Sequence, residues 1–400
     1  MVEQKKPLAK AFYLPELDGL RTICFLYIFM AHSWLIPQPN GQFFLIDWYN
    51  AFVKWGLIGL DMFFVLSGYL ITSLLLKERL KNGNISLPLY FRRRMLRIWP
   101  LYYLVICAGS FVIPFLGNRN LNMQVYFNFL KDIFVPMFLF VGNYGLIFKS
   151  FSLLALADEL TFPIANLFRP LWSVCSEEQF YVTWPFVLRK VTSWKHLSLV
   201  IAGFTLLSIG FRYCFQQYSL TNPAGVWMPS TLYNFNTLCG LDTLMAGALI
   251  ATIQLQLPDA WAKICKFGAP IAVSALIILT VMIVFLPEPS NSVLIVPVYF
   301  TIALTCGMIL IGTMSWAPLR TFLSMFAGVG KTTYGMYLVH HPIIAMTENY
   351  MRFNLHMDND AQCYVLRFGI SLTLTLIMGQ LLYRNIEKHL EFLRSKYARV

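Results

Sequence analysis

Apolar segments of about 20 residues follow one another along almost the whole chain, separated by short polar connections. A helix of that length spans the hydrocarbon core of a bilayer and satisfies its own backbone hydrogen bonds there. Only 12% of the 400 residues are charged and 58% are hydrophobic, whereas soluble domains contain about 25% charged and 45–50% apolar residues. The sequence therefore predicts an all-α, polytopic membrane protein.

Ten segments have the length and composition of membrane-spanning helices. They cover residues 17–36, 55–76, 98–116, 171–188, 197–214, 234–254, 267–286, 293–313, 333–350 and 363–385. A further apolar stretch, 133–148, is interrupted by Pro136, Gly142 and Asn143. We expect it to be re-entrant or interfacial, because a complete crossing would invert every later orientation.

The distribution of basic residues predicts that both termini are cytoplasmic. With that orientation 22 of the 31 Lys and Arg residues lie inside and eight outside, with Arg21 within the first segment, as the positive-inside rule requires. The predicted parts are a cytoplasmic segment 1–16, a transmembrane domain 17–386 and a cytoplasmic basic tail 387–400. The net charge of +12 comes from these short runs, so no nucleic-acid partner is expected.

The first segment carries two ionisable side chains on one helical face. It reads LDGLRTICFLYIFMAHSW, with Arg21 and His32 eleven residues apart, a spacing that returns to the same face after a rise of about 16 Å. Asp18 falls on the same side and can pair with Arg21. Ionisable groups in a membrane are usually functional. The alternative is an arginine that snorkels to the interface and a histidine bonded to a neighbouring helix.

A cluster of arginines precedes the third segment in YFRRRMLRIWPLYYL. At helical spacing Arg93 and Arg97 share a face, as do Arg94 and Arg97, so part of the cluster can converge on phosphate groups. The alternative is a plain topology anchor that contacts lipid headgroups.

The fourth segment begins RPLWSVCSEEQFYVTWP, with adjacent carboxylates at Glu177 and Glu178. Neighbouring helical residues point about 100° apart, so we expect at most one of them to sit fully on a polar interior face. Glu177 is the better candidate because Tyr181 and Trp184 share its stripe. The alternative is an interfacial carboxylate that faces water.

The ninth segment reads YGMYLVHHPII. His340 lies about 10 Å from the start of the helix, with Tyr337 on roughly the same side. His341 points elsewhere and is the weaker candidate, and a structural buried histidine is the alternative for His340. In the second segment, GLDMFFVLSGYLIT, Gly68 permits close helix approach and Ser67 either bonds across helices or faces a polar interior.

The sequence contains no phosphate-cradling glycine loop, no GxSxG elbow and no HExxH or comparable metal spacing. We therefore expect no metal and no permanently bound cofactor.

Taken in order, these five blocks resemble the acyltransferase-3 family of integral-membrane O-acyltransferases, from residue 12 to about 390. The resemblance implies a ten-span enzyme that transfers an acyl group, most often acetyl, from cytoplasmic acyl-CoA to a hydroxyl of a glycan or similar acceptor. One departure is that NIEKHLEF lacks the proline that usually follows the family's C-terminal glutamate. The chain shows neither an esterase-like domain nor a secreted-type N-terminal region, so we expect a stand-alone form in a bacterial inner membrane.

The resemblance also implies roles for individual residues. His32 matches the essential histidine, Arg21 the arginine paired with it, and Glu177 the first glutamate of the fourth-segment motif. Arg93, Arg94 and Arg97 match the basic motif directed at the CoA donor, and His340 matches the late histidine. We interpret His32 as the base, Arg21 as its electrostatic partner and Glu177 as an orienting or acceptor-side carboxylate. Further candidates are Asp18, Ser67 and Tyr337.

A proton-coupled transporter is the chief alternative, since Arg, His and Glu in a membrane also build proton relays. The sequence has no internal repeat with paired broken helices, which transporters often show, and an arginine dock has no use in a proton pathway. A structural scaffold is the third possibility. The acceptor stays open among lipopolysaccharide, capsule or exopolysaccharide, peptidoglycan, and lipid-linked or small hydroxylated molecules, with membrane lipids as the surroundings.

Overall fold

The computed structural model describes residues 14–33, 44–112, 123–147, 168–221, 233–286, 294–355, 357 and 361–395, and all regular secondary structure within them is helical. The main helices are α1 (Pro15–Ser33), α2 (Phe44–Lys54), α3 (Ile58–Asn82), α4 (Leu87–Phe111), α5 (Met123–Phe129), α6 (Trp172–Lys190), α7 (Trp194–Thr221), α8 (Leu241–Gln256), α9 (Pro258–Lys266), α10 (Gly268–Phe285), α11 (Ile295–Ser315), α12 (Ala317–Ser324), α13 (Thr333–Phe353), α14 (Ala361–Leu382) and α15 (Lys388–Ser395). Shorter pieces are the 3-10 turns Arg169–Leu171 and Thr237–Gly240, the π-turns Leu130–Phe134 and Tyr383–Glu387, and the helical turns Val135–Phe138 and Ala327–Gly330.

Six helical stretches are long and apolar enough to cross a membrane, so the protein is an integral membrane protein. They are Tyr49–Asn82, Trp194–Tyr218, Thr237–Gln256, Gly268–Phe285, Ile295–Ser315 and Cys363–Arg394. Helices α1, α4, α6 and α13 coincide with four other predicted segments but are less apolar, because they carry the charged and histidine side chains singled out above. The count of ten spans and the cytoplasmic placement of both termini stay predictions.

Helices α3 and α8 pack against each other over the most extensive interface among the described helices. A Cβ atom at Gly68 would lie 2.0 Å from the carbonyl oxygen of Leu244, and one at Gly247 would lie 1.9 Å from that of Val65. The two backbones therefore touch where the side chains are missing, as the small residue at Gly68 predicted.

Helix α1 runs beside α3 in the opposite direction. A Cβ atom at Gly59 would meet the carbonyl of Cys24, and one at Gly56 would meet Ala31, so the end of α1 lies beside the start of α3. The other end of α1 packs on the segment after α11, where Gly330 touches the backbone of Asp18. Residues early and late in α3 therefore mark opposite ends of the bundle.

The apolar stretch 133–148 is a broken helix within its described part, which ends at 147. The helical run formed by α5, its π-turn and the turn Val135–Phe138 ends at Phe138, Phe140 has a φ of 55°, and a short helix follows over 142–147. The break is held from α6, where Gln179 Nε2 donates to the Phe140 carbonyl at 2.8 Å. Asn143 is fully buried and donates to the carbonyl of Phe235 at 3.0 Å, so the broken segment packs into the protein.

The predicted tail 387–400 begins inside a continuous helical run. Helix α14 passes through the π-turn Tyr383–Glu387 into α15, which packs against α4. Glu387 lies over α13, since its Oε1 would be 3.1 Å from a Cβ atom at Gly335. The contacts with α4 and α13 hold the end of this helical run beside α4, the helix that carries Arg93, Arg94 and Arg97.

Candidate active site

Three imidazole rings meet where the end of α1 approaches α13. His32 Nδ1 lies 2.9 Å from His340 Nε2, and the two rings are stacked with centroids 5.1 Å apart. His341, which helical spacing directs away from His340, also reaches His32, with ring centroids 5.0 Å apart. His340 is completely buried, with Phe25 edge-on to its ring. The structure thus joins the two predicted histidines and adds a third.

The hydrogen bonds around His340 assign the protons of both rings. His340 Nδ1 lies 2.7 Å from the backbone carbonyl of Tyr337, and a carbonyl can only accept, so Nδ1 carries a hydrogen. In a neutral ring Nε2 then accepts, and the hydrogen in the contact between the rings belongs to His32 Nδ1. A neutral His32 therefore has its basic lone pair on Nε2.

Tyr337 joins the histidines to α6. Its hydroxyl lies 2.7 Å from Ser173 Oγ and donates to the carbonyl of Pro170 at 2.9 Å. Since its own carbonyl holds His340, Tyr337 couples the position of the imidazoles to the first turn of α6.

Glu177 lies in a hydrogen-bonded group in the first third of α6. Ser67 Oγ donates to its Oε1 at 2.7 Å, and the Tyr181 hydroxyl is 2.9 Å from its Oε2 and 2.7 Å from Ser67 Oγ. The Arg94 guanidinium stacks on the Tyr181 ring, with its Cζ 3.4 Å from the centroid. The group connects α3, α4 and α6.

Only one of the two adjacent carboxylates is fully buried, and it is Glu178 and not Glu177, which is half-buried. Glu178 is buried and accepts a hydrogen bond from Trp99 Nε1 at 3.2 Å. Helix α6 has α3 on one side and α4 on the other, so directions 100° apart both end in protein. Its Oε1 has no hydrogen-bond partner among the described residues.

The predicted arginine dock divides into two parts. Arg93 Nη2 donates to Glu78 Oε2 at 3.0 Å, and Glu78 Oε1 accepts from the backbone N–H of Ser86 at 3.0 Å. This buried pair closes the turn between α3 and α4. Arg97 instead lies close enough to Arg94 for the two charges to act on each other.

Two arginines from outside the predicted dock join Arg97. The charges of Arg21 on α1 and Arg394 on α15 also act on it. Arg21 is held by Asp18, with Nη1 and Oδ1 2.5 Å apart, and stands about 16 Å along the helix from His32. Arg21 therefore belongs to the arginine end of the bundle and is too far along α1 to touch His32.

Sequence reasoning missed a buried ion pair at the histidine end. Arg212, which the count of basic residues placed among the eight outside, is buried in α7 and binds both carboxylate oxygens of Asp242, one of them at 2.8 Å. An arginine and an aspartate inside consecutive apolar segments are the signal that could have revealed it. Among the described residues no group of His, Cys, Asp or Glu could hold a metal ion.

The chain was compared with known proteins. A family model described as an acyltransferase domain matches residues 14–384. The O-acetyltransferase OatA of Staphylococcus aureus (strain NCTC 8325 / PS 47) is 28% identical over 384 residues, which cover 94% of this chain and 57% of that protein. The peptidoglycan O-acetyltransferase OatA of Listeria monocytogenes is 26% identical over 387 residues, covering 94% and 55%.

The chain spans little more than half the length of these relatives, and no solved structure matches it. The family match, however, covers most of this chain. The chain therefore belongs to the acyltransferase-3 family.

Proposed function

We propose that the protein is a membrane O-acyltransferase that moves an acyl group, by default acetyl, from cytoplasmic acyl-CoA to a hydroxyl of a cell-surface glycan or related acceptor. The observation that carries the proposal is the contact between His32 and the buried His340, at one end of an interior polar path that ends in arginines at the other. The names of the two relatives support O-acetyl transfer, and the Listeria protein makes peptidoglycan the first acceptor to test.

In this mechanism His32 Nε2 is the base. It takes the proton of the acceptor hydroxyl as the oxygen attacks the thioester carbonyl, and returns it to the CoA sulfur when the C–S bond breaks. The same nitrogen could instead attack the thioester and carry the acyl group as an acyl-histidine. Both routes need the lone pair on Nε2, which His340 secures by accepting from Nδ1.

The arginine end is proposed to bind the donor. Arg94 and Arg97, with Arg21, present guanidinium groups suited to the phosphates of CoA. Arg93 instead pairs with Glu78 and so holds the turn that precedes Arg94 and Arg97. The acyl group then has to reach His32, about 16 Å further along α1 than Arg21, a distance suited to an extended phosphopantetheine arm. The arginine end would face the cytoplasm of a bacterial inner membrane, where acyl-CoA is made.

Glu177 is proposed to orient the middle of this path. Its bonds to Ser67 and Tyr181 hold the ring on which Arg94 stacks, so the carboxylate positions the arginine that faces the donor. It lies four residues beyond Ser173, which touches Tyr337, and so links the arginine end to the histidine end.

The test is the ester content of surface glycans, measured by mass spectrometry. Cells express wild type, His32→Ala or His196→Ala at matched membrane abundance, or carry an empty vector. His196 is an exposed residue of α7, so its variant controls for loss of an imidazole. We expect the ester with wild type and His196→Ala only. An unchanged ester in His32→Ala would overturn the role of His32, and no difference from the vector in a peptidoglycan-containing host would overturn the proposed acceptor.

A further inference from the structure

Arg367 is a buried arginine at the histidine end of the bundle that has no part in the steps proposed above. It lies in the second turn of α14, within the apolar run Cys363–Arg394, and is only 6% exposed. An ionisable side chain inside a membrane protein is costly and usually functional. The contacts of Arg367 indicate what that function is.

Arg367 holds the end of helix α1. Its Nη2 donates to the backbone carbonyl of Ser33 at 2.9 Å. Ser33 is the last residue of α1 and directly follows His32. The last carbonyl groups of a helix have no partner within the helix, and they carry its partial negative charge, so a guanidinium there is favourable. The contact therefore restrains the backbone one residue from the proposed base.

The guanidinium of Arg367 is itself held in place. Its Nη1 lies 3.1 Å from Glu348 Oε1, and its Cζ lies 4.3 Å from the ring centroid of Tyr364. A guanidinium is planar, so a stacked ring and two partners in different directions fix its orientation. Glu348 belongs to α13, about 12 Å beyond His340 along that helix. Arg367 thus connects the end of α1 to the helix that carries His340.

The end of α1 is therefore attached to α13 at two points. The first is direct, from His32 Nδ1 to His340 Nε2 at 2.9 Å. The second runs from Ser33 through Arg367 to Glu348. A single hydrogen bond leaves the helix end free to turn about it, and a second attachment one residue away removes that freedom. His32 Nε2 is then held in one direction, as an aligned reaction requires.

We propose that Arg367 is a positioning residue for His32, which keeps His32 Nε2 directed at the reacting groups during acyl transfer. The inference rests on the proposed O-acyl transfer and adds a residue from outside the five sequence blocks. Arg367 acts through the backbone of α1 and does not touch the substrate.

The experiment compares purified wild type, Arg367→Gln, Arg367→Lys and Arg189→Gln in lipid nanodiscs. Arg189 is exposed in the last turn of α6 and supplies the same substitution away from α1. Acetyl transfer to soluble glycan fragments of peptidoglycan is measured against acetyl-CoA concentration. We expect Arg367→Gln to lower kcat about 10- to 100-fold, the range that a small misplacement costs, and Arg189→Gln to match wild type.

The division between kcat and KM separates positioning from a general loss of structure. The KM for acetyl-CoA should not change in Arg367→Gln, because the proposed donor site is at the opposite end of α1. Arg367→Lys should recover part of kcat, since its ammonium can still donate to the Ser33 carbonyl. A wild-type kcat in a folded Arg367→Gln protein, or a loss confined to the KM for acetyl-CoA, overturns the proposal.

A second measurement does not depend on turnover. Hydrogen exchange of the backbone amides in residues 30–33 is followed by mass spectrometry in Arg367→Gln and Arg189→Gln. We expect faster exchange in Arg367→Gln only, because the last turn of α1 loses an attachment. Unchanged exchange overturns the proposal even if transfer proceeds. Faster exchange in Arg367→Gln, with no transfer by wild type, would uphold the attachment of α1 and refute the proposed activity.

A milder variant keeps the test decisive if Arg367→Gln does not fold. Glu348→Gln changes a side chain that is 39% exposed and leaves the bond from Arg367 to Ser33 possible, but it removes the carboxylate that orients the guanidinium. We expect a smaller loss of kcat with the KM for acetyl-CoA unchanged. A wild-type kcat in Glu348→Gln would then overturn the proposal.

Discussion

At the scale of single residues, the site depends on which ring nitrogen of each histidine carries a hydrogen. His340 has its Nδ1 hydrogen on a backbone carbonyl, so its Nε2 can only accept in the neutral ring. That one bond decides that His32 presents Nε2 for proton transfer. The sequence singled out both histidines, but it could not show the contact, because the two residues are 308 positions apart along the chain.

Replacing His340 should separate its orienting role from simple packing. We expect His340→Ala to lower acyl transfer by about 100-fold or more, the usual contribution of a positioned base. His340→Gln should recover part of the rate, because its amide oxygen can still accept from His32 Nδ1. The measurement is kcat with purified protein, with KM for acyl-CoA as the control. Equal rates for the Ala and Gln variants would contradict the orienting role.

The arginines should fall into two functional classes. Arg97→Gln is expected to raise the KM for acyl-CoA and leave the unfolding temperature near that of wild type. Arg93→Gln should instead destabilise the protein, because it leaves the fully buried Glu78 without its cation, a change that costs about 3–5 kcal/mol. Thermal unfolding and donor titration on both variants distinguish these effects. A stable Arg93→Gln protein with weakened donor binding would show that Arg93 binds the donor and does not only hold the turn.

At the scale of helices, composition predicted where the long helices lie but not how they touch. Helices α1, α4, α6 and α13 are less apolar than the other long helices because they carry the polar side chains of the site. Periodicity assigns one inward face to each helix. It selected Glu177, whereas Glu178 is the more deeply buried carboxylate, because α6 is enclosed by α3 and α4 and that enclosure depends on tertiary packing.

The contact between α3 and α8 gives a sharp test of packing. Gly247→Ala would place a methyl group 1.9 Å from the carbonyl oxygen of Val65, so the helices must separate and the unfolding temperature should fall. Gly203→Ala on α7 is the matched control, because nothing lies within 4 Å of its Cβ position and alanine is the better helix former. Equal unfolding temperatures for the two variants would show that the interface can yield.

At the scale of the whole molecule, the two ends of the bundle differ in chemistry. One end gathers Arg94, Arg97, Arg21 and Arg394, and the other holds the histidines. The basic count that oriented the sequence treated Arg212 as an outside residue, although it is buried in an ion pair. Arg367 was treated likewise and pairs with Glu348 at 3.1 Å. Leaving these two arginines out of the outside count increases the excess of basic residues on the inside, and so supports a cytoplasmic arginine end.

That orientation can be measured by cysteine labelling in spheroplasts with a membrane-impermeant maleimide. Asn84→Cys lies in the exposed turn between α3 and α4 at the arginine end, and Lys54→Cys is exposed at the end of α2. We expect Lys54→Cys to label in intact spheroplasts and Asn84→Cys only after permeabilisation, with wild type giving the background of the native cysteines. The reverse pattern would put the arginines outside, where they could not meet cytoplasmic acyl-CoA. The donor assignment would then fail, because it depends on the arginine end having access to the cytoplasm.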